Sequence, residues 1–169
     1  MASSSNSSSS ALMALPRRKN YYDVFVTFRG EDTRFNFIDH LFAALQRKGI
    51  FAFRDDTNLQ KGESIAPELI RAIEGSQVFI VVLSKNYASS TWCLRELVHI
   101  LHCSQVFGRC VLPVFYDVDP SEVRHQKGIY GEDFSKHEQT FQHDSQVVQR
   151  WREALTQVGN ISGWDLCDK

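Results

Sequence analysis

Short apolar runs alternate with amphipathic stretches along most of this chain, and that alternation limits its fold more than any other sequence feature. Most of the runs are rich in Val, Ile and Phe, which is typical of strands buried on both faces of a parallel sheet. We therefore predict an α/β fold with helices on both faces of about five parallel strands. The predicted strands are Asp23 to Phe28, Ile50 to Phe53, Gln77 to Leu83, Cys110 to Phe115 and Ile161 to Leu166.

Helical periodicity and capping residues mark the segments between these runs. Three apolar stripes at helical spacing are each followed by a glycine where a helix should end. Another helix is predicted to begin after an N-cap at Asp119, with Pro120 in its first turn. The stripes and their glycines are Ile38, Leu41 and Leu45 with Gly49; Ile65, Leu69 and Ile73 with Gly75; and Val148, Trp151, Leu155 and Val158 with Gly159.

This order of elements predicts a flavodoxin-like topology, a three-layer fold with strand order 2-1-3-4-5. In such sheets ligands bind beyond the carboxyl ends of the strands. We therefore expect a functional site in the loops that follow the strands. These loops are 29–34, 54–63, 84–92 and 116–119.

Composition excludes several classes of partner. A chain of 169 residues suits one domain with a sizeable core. With 19 basic and 20 acidic side chains the formal charge is -1, so nucleic acid is not an expected partner. No run approaches the roughly 18 apolar residues that a membrane span needs, and we expect no membrane partner. The cysteines lack zinc-site spacing and are interpreted as reduced intracellular thiols: Cys93, Cys103, Cys110 and Cys167.

The first 20 residues differ in composition from the rest. They are rich in serine, contain no acidic residue and end in the basic cluster Pro16 to Lys19. A chloroplast transit peptide can have this composition, but low hydrophobicity alone accounts for it. We interpret residues 1–20 as a disordered leader and residues 21–169 as the folded domain, in a protein of the cytoplasm, the nucleus or both.

The usual nucleotide-binding motifs are absent from the sequence. There is no Walker loop, and no G-x-G-x-x-G follows the first strand, so a kinase or dehydrogenase is unsupported. The pair Asp55-Asp56 invites comparison with a phosphoacceptor receiver domain. The third strand, however, is followed by Ser84-Lys85-Asn86, with no aspartate to be phosphorylated.

No metal site is predicted. His99 and Cys103 are spaced one helical turn apart, but two ligands without further candidates do not make a site. Asp117 and Asp119 could hold a cation, yet turn formation and helix capping account for them more simply.

Glu96 follows the third strand in the run Ser89 to Leu97. If a helix begins near Ser90, Trp92 and Glu96 lie one turn apart on the same face. Spacing alone then predicts a solvated glutamate on the polar side of that helix. The apolar face of the helix is predicted to comprise Cys93, Leu97 and Ile100.

Four ordered blocks of sequence resemble a known family, the Toll/interleukin-1 receptor (TIR) domains of plant nucleotide-binding leucine-rich-repeat (NLR) disease-resistance proteins. The resemblance covers the chain from about Asn20 to its end, and such receptors continue beyond this domain, so we expect an excised piece. The blocks are Tyr22 to Phe25 with Phe28 to Arg34; Gly49-Ile50 with Phe53 to Asp56; Ser84 to Ser90 with Trp92 to Leu94 and Glu96-Leu97; and Pro113 to Ser121.

This resemblance implies an NAD⁺ nucleosidase, a signalling enzyme of plant immunity that cleaves the nicotinamide-ribose bond on self-association and triggers defence and cell death. It implies that Glu96 is catalytic and that Trp92 is its aromatic neighbour. NAD⁺ is the implied substrate, NADP⁺ is left open, and no tightly bound cofactor is expected. The implied substrate-binding residues are Phe28, Arg29, Gly30, Arg34, Ser90 and Trp92.

A single carboxylate is chemically sufficient for that reaction. Glycoside hydrolysis generally needs a second carboxyl group to protonate the leaving group. Nicotinamide leaves a pyridinium cation as a neutral base, so one carboxylate that stabilises positive charge at the anomeric carbon could serve. Its effect depends on exclusion of water, which gives a reason for assembly.

The resemblance also implies a self-association surface at Asp39-His40. The family often has Ser-His at this position in its first helix, so the histidine matches and the serine does not. Gly159 resembles a second interface position, although ending a helix explains it equally well. Implied partners are further copies of the domain and downstream immune proteins that sense the nucleotide products.

Two alternative functions remain open from the sequence. One is a non-catalytic adaptor or oligomerisation module that uses the same surfaces. The other is a nucleic-acid-dependent cyclic nucleotide synthetase, which the near-zero net charge does not support.

Overall fold

The chain builds a single parallel sheet, seen in a computed structural model that describes residues 22–33, 37–54, 66–161 and 164–166. The strand order is β2-β1-β3-β4-β5, and every neighbouring pair is parallel. This confirms the flavodoxin-like order predicted from the sequence. The strands are β1 (Tyr22–Thr27), β2 (Ala52–Arg54), β3 (Ser76–Leu83), β4 (Cys110–Tyr116) and β5 (Trp164–Leu166).

Helices cover both faces of the sheet. Two separate apolar clusters, one on each face, establish the three layers. The second helix packs on one face, and the third to seventh helices contribute to the cluster on the other. Within the described ranges the helices are α1 (Gly30–Thr33), α2 (Asp39–Arg47), α3 (Pro67–Glu74), α4 (Thr91–Phe107), α5 (Pro120–His125), α6 (Gly128–Thr140) and α7 (Ser145–Gly159).

Side chains of β1 alternate between these two clusters. Val24 and Val26 belong to the cluster under α2, whereas Phe25 belongs to the cluster that contains α4. Because successive strand residues point to opposite faces, Thr27 shares the face of Phe25. The last side chain of β1 therefore points toward α4.

The predicted second strand, Ile50 to Phe53, begins later than expected. The Ile50 amide donates to the Leu45 carbonyl at 2.9 Å and so completes the end of α2. Gly49 has a φ of +73°, which confirms its role as a helix-ending glycine. Gly75 also caps its helix, but its φ is -84°. Other residues adopt that conformation readily, so the backbone at position 75 does not require glycine. The predicted stripe residue Ile65 lies outside the described residues.

Helix α6 is absent from the sequence-based expectations. Its buried side chains follow helical spacing, but two of them, an aspartate and a histidine, are strongly polar. They are Tyr130, Asp133, Phe134 and His137. A search for apolar periodicity passes over such a stripe, because Asp and His interrupt it.

The predicted N-cap of α5 is confirmed. The Asp119 carboxylate accepts the Ser121 amide at 2.8 Å, and Pro120 is the first helical residue. This bond holds the pKa of the Asp119 carboxyl below its usual value. The predicted stripe of α7 is likewise buried: Val148, Trp151, Leu155 and Val158.

Gly159 allows a close approach of α7 to α5. A Cβ atom on Gly159 would lie 2.9 Å from Arg124 Cα, and the Gly159 carbonyl accepts both Nε and Nη2 of Arg124 at 3.2 Å. We expect Gly159→Ala to lower the free energy of unfolding by about 1–3 kcal/mol, because backbone must move to make room. Urea denaturation measures this change, with Ala154→Gly in the same helix as a reference variant that forms a cavity. An unchanged midpoint for Gly159→Ala would contradict the prediction.

No helix in the described part of the chain is both long and apolar enough to cross a membrane.

Candidate active site

Helix α4 carries the central residue of the candidate site. Ser90 is its N-cap, and the Ser90 hydroxyl accepts the Cys93 amide at 3.2 Å. This start places Trp92 and Glu96 one turn apart, as predicted. Both side chains lie at the carboxyl edge of the sheet, where the loops after β1 and β3 meet.

The prediction that Glu96 is solvated was wrong. Glu96 is 2% exposed and Trp92 is 4% exposed. The reason is that α4 contacts the sheet, α3 and α7 at once, so its first turns are enclosed on several sides. The predicted apolar residues are indeed buried, together with Leu94 and Leu101: Cys93, Leu97 and Ile100.

The Glu96 carboxylate is held by the end of β1. Thr27 Oγ1 donates to Glu96 Oε1 at 2.8 Å, and Thr27 itself is 1% exposed. The hydroxyl of Tyr87 lies 2.9 Å from Thr27 Oγ1 and donates to the Cys93 carbonyl at 3.2 Å. Burial raises the pKa of Tyr87 well above its usual value, so this phenol stays protonated.

The loop after β1 borders the same region. Phe28 is buried, and its carbonyl accepts a hydrogen bond from the Cys93 thiol with a sulfur–oxygen distance of 3.6 Å. The Arg54 guanidinium lies 5.0 Å from the centre of the Phe42 ring and 5.9 Å from that of Phe28. Gly30 begins α1 directly after this loop. Phe28 and Glu96 are thus brought to the same edge of the sheet through Cys93 and Thr27.

Asp32 in α1 joins this loop to the one after β3. Its Oδ2 accepts the Ser84 hydroxyl at 2.5 Å and the Asn86 amide at 2.8 Å. Its Oδ1 accepts Asn86 Nδ2 at 2.8 Å. Asp32 is not among the residues predicted from the sequence to form the site; its place in the Gly30-Glu31-Asp32-Thr33 block of the family motif was the available signal.

Helix α6 supports the site from the side of β3. Tyr130 donates its hydroxyl proton to the Ser84 carbonyl at 2.6 Å, and burial raises the pKa of Tyr130 well above its usual value. His137 Nε2 donates to the Ala88 carbonyl at 2.7 Å. The loop between β3 and α4 is therefore anchored at Ser84 and at Ala88 by two buried side chains of a helix that the sequence did not reveal.

Of the other predicted substrate residues, Arg34 lies outside the described residues. Arg29 is partly buried, and its guanidinium contacts Glu31 at 3.3 Å. Ser90 acts as the helix cap described above, which is a structural role. The structure therefore links the Phe28 carbonyl and the Glu96 carboxylate to neighbouring parts of β1 and α4, whereas the Trp92 side chain is buried in the apolar cluster that contains α4.

The predicted self-association residues lie on the opposite face of the sheet. Asp39 and His40 are exposed at the start of α2. Asp39 pairs with Arg54 at 2.9 Å, and Arg54 also contacts the rings beside the β1 loop. Arg54 therefore contacts both the predicted self-association surface and the loop after β1 at the candidate site.

No group of three or more potential metal ligands occurs among the residues that the structure describes. His99 is exposed, whereas the Cys103 thiol is buried and directed at the Ile73 carbonyl. Asp117 has a φ of +55° in the turn after β4 and pairs with Lys85 at 3.2 Å. The turn and capping interpretations of Asp117 and Asp119 are thereby confirmed. Free thiols are described at Cys93, Cys103 and Cys110, and Cys167 lies outside the described residues.

The parallel sheet with its candidate site at the carboxyl edge defines a flavodoxin-like α/β protein. Its sequence matches the TIR domain family over residues 21–169. The chain therefore belongs to the TIR domain family. It is 53% identical to the disease resistance protein RPV1 of Vitis rotundifolia over 99% of this chain, and 51% identical to the TMV resistance protein N of Nicotiana glutinosa over 87%. It spans only 12% and 13% of those proteins.

A solved structure gives the same result for the fold. The TIR domains of the activated Roq1 resistosome, a complex that recognises the pathogen effector XopQ, superpose with a TM-score of 0.80 at 58% identity. The match covers 85% of this chain and 87% of that one. The predicted relationship to TIR domains of plant disease-resistance proteins is thereby confirmed.

Proposed function

We propose that this domain is an NAD⁺ nucleosidase that cleaves the nicotinamide-ribose bond when copies of it self-associate. The observation that carries the proposal is the position of Glu96. Its carboxylate is enclosed at the carboxyl edge of the sheet, beside Trp92 and the Phe28 loop, where α/β folds bind their ligands. The proposed substrate is NAD⁺, and NADP⁺ would fit the same chemistry.

The reaction requires little of the protein beyond this carboxylate. The C–N bond to nicotinamide breaks with its electrons passing to the pyridinium nitrogen, so the leaving group departs neutral without a proton. Positive charge develops at the anomeric carbon, and Glu96 is placed to stabilise it. The oxygen of water or of a hydroxyl of the same substrate then bonds to the anomeric carbon and releases its proton to solvent. A carboxylate in a low-dielectric site has a stronger effect on that charge than one in water.

The same burial supports a requirement for activation. At 2% exposure the Glu96 carboxylate is not accessible to a dinucleotide, so the bordering side chains must rearrange before catalysis. Self-association is the event that we propose drives this change. The TIR domains of a relative occur in an activated resistosome, which supports assembly as the active form. The nucleotide products would then act on downstream immune proteins that bind them.

The test is nicotinamide release from NAD⁺ over a range of protein concentrations that spans monomer to assembly. We expect release to rise faster than linearly with protein concentration, because activity belongs to the assembled form. Sedimentation under the same conditions establishes the oligomeric state. Absence of release from demonstrated oligomers would overturn the proposal and favour the adaptor function.

A substitution on α2 tests the assembly surface separately. We expect His40→Ala to weaken self-association and to lower activity by about tenfold at concentrations near the association midpoint, since interface side chains commonly contribute about 1–2 kcal/mol. Gln46→Ala, exposed near the end of the same helix, is the matched control. Equal association constants for the His40→Ala protein and the wild type would exclude this surface.

A further inference from the structure

The hydrogen bond from Thr27 to Glu96 joins a β1 side chain to the α4 carboxylate, and its direction is fixed by the chemistry of the two groups. An ionised carboxylate can only accept hydrogen bonds. The single hydroxyl proton of Thr27 is therefore committed to Glu96 Oε1 at 2.8 Å. The Thr27 oxygen can still accept a hydrogen bond from a neighbour.

Tyr87 is the neighbour that can donate this hydrogen bond. Its single phenolic proton is shared between Thr27 Oγ1 at 2.9 Å and the Cys93 carbonyl at 3.2 Å. With Glu96 ionised, the shorter bonds run in one direction, from Tyr87 to Thr27 to Glu96. Hydrogen bonds in such a chain polarise one another and so strengthen the final donation to the carboxylate.

The position of Thr27 in the sheet makes this donor rigid. Thr27 is the last residue of β1 and is paired with Val81 of the central strand β3. It is β-branched and 1% exposed, which restricts its χ1 rotamer and excludes competing water. The Glu96 side chain of α4 is thereby fixed relative to β1, the strand that Phe28 follows.

We propose that Thr27 is a positioning residue for NAD⁺ cleavage, whose hydroxyl fixes the orientation of the Glu96 carboxylate toward the anomeric carbon through the Thr27 Oγ1–Glu96 Oε1 bond. The inference rests on the proposed NAD⁺ cleavage. It assigns to Thr27, the residue before Phe28, a role in the reaction in addition to its place in the strand. Its effect is on the chemical step, because the hydroxyl contacts the carboxylate and not the substrate.

Thr27→Val tests the role, because valine keeps the shape of threonine and removes the hydroxyl. We expect kcat to fall by about 10- to 100-fold, the effect of losing a hydrogen bond to a charged group, while KM changes by less than about threefold. Thr27→Ser keeps the hydroxyl and should restore kcat to within about threefold of the wild type. If the valine variant does not fold, Thr27→Ala is compared with Thr27→Ser in its place.

Ser76→Ala is the matched control at the other end of the sheet. Ser76 is fully buried and donates its hydroxyl to the Ala72 carbonyl at 2.7 Å, so the variant loses a buried hydroxyl bond away from the site. We expect its kcat to remain at the wild-type level. A valine variant with wild-type kcat, or valine and serine variants that lose activity equally, would overturn the role of Thr27 alone. An inactive wild-type assembly would instead overturn the proposed function, and this inference with it.

Discussion

Glu96→Gln is expected to lower NAD⁺ turnover by at least about 1,000-fold while leaving the domain folded, since it removes the one charge proposed to stabilise the transition state. The glutamine carbonyl oxygen can still accept the Thr27 hydroxyl bond, which measures 2.8 Å in the wild type. The substitution therefore separates the charge of the side chain from its place in the buried network. Nicotinamide release per assembled domain is the measurement.

Glu96→Ala is a less specific variant of the same residue. It leaves a cavity and a buried Thr27 hydroxyl without its acceptor, which costs about 1–3 kcal/mol. Loss of activity in the alanine protein therefore combines two effects. Sedimentation and thermal unfolding of the glutamine protein should match the wild type, and turnover above about one-tenth of wild type in that protein would remove Glu96 from the mechanism.

Asp32→Ala is expected to have the largest effect on stability. It removes the acceptor of three hydrogen bonds, from the Ser84 hydroxyl and from two nitrogens of Asn86. Ser84 is 1% exposed, so its hydroxyl would lose its partner in a buried position. We expect the free energy of unfolding to fall by about 2–4 kcal/mol. Urea denaturation, followed by tryptophan fluorescence, measures the change.

Glu138→Ala provides the comparison for Asp32→Ala. Glu138 pairs with Arg152 at 2.8 Å, but its side chain is 56% exposed. Exposed ion pairs contribute about 0–1 kcal/mol, so this variant should unfold near the wild-type midpoint. Similar losses in both proteins would show that the burial of the Ser84 hydroxyl is not what makes the Asp32 bonds stabilising.

The sheet could be predicted from the sequence because its strands are buried on both faces. The runs at β3 and β4 are continuous apolar segments, and each was predicted to within one residue at either end. Strand β2 has three residues, and its start was displaced by the backbone bond of Ile50 to the end of α2. Local patterns cannot reveal such a competition, because the helix end and the strand start share the same residues.

The site was only partly predictable, for a different reason. Spacing placed Trp92 and Glu96 on one face of a helix, and family resemblance singled them out. Their burial depends on contacts with segments far away in the chain, such as Thr27, 69 residues from Glu96. The supporting bonds of Tyr130 and His137 come from α6, whose polar composition hid it from a search for apolar stripes.

The proton order of the Tyr87–Thr27–Glu96 chain has an evolutionary consequence. Two hydrogen bonds link these three side chains in sequence, so a substitution at one position changes what its neighbour needs as a partner. Replacing Thr27 by an apolar residue would leave Tyr87 and Glu96 to find new partners at the same time. We therefore expect substitutions at the three positions to be correlated among descendants of this sequence. Serine and threonine should exchange freely at position 27, whereas apolar residues should occur there only where the carboxylate at position 96 has already been lost.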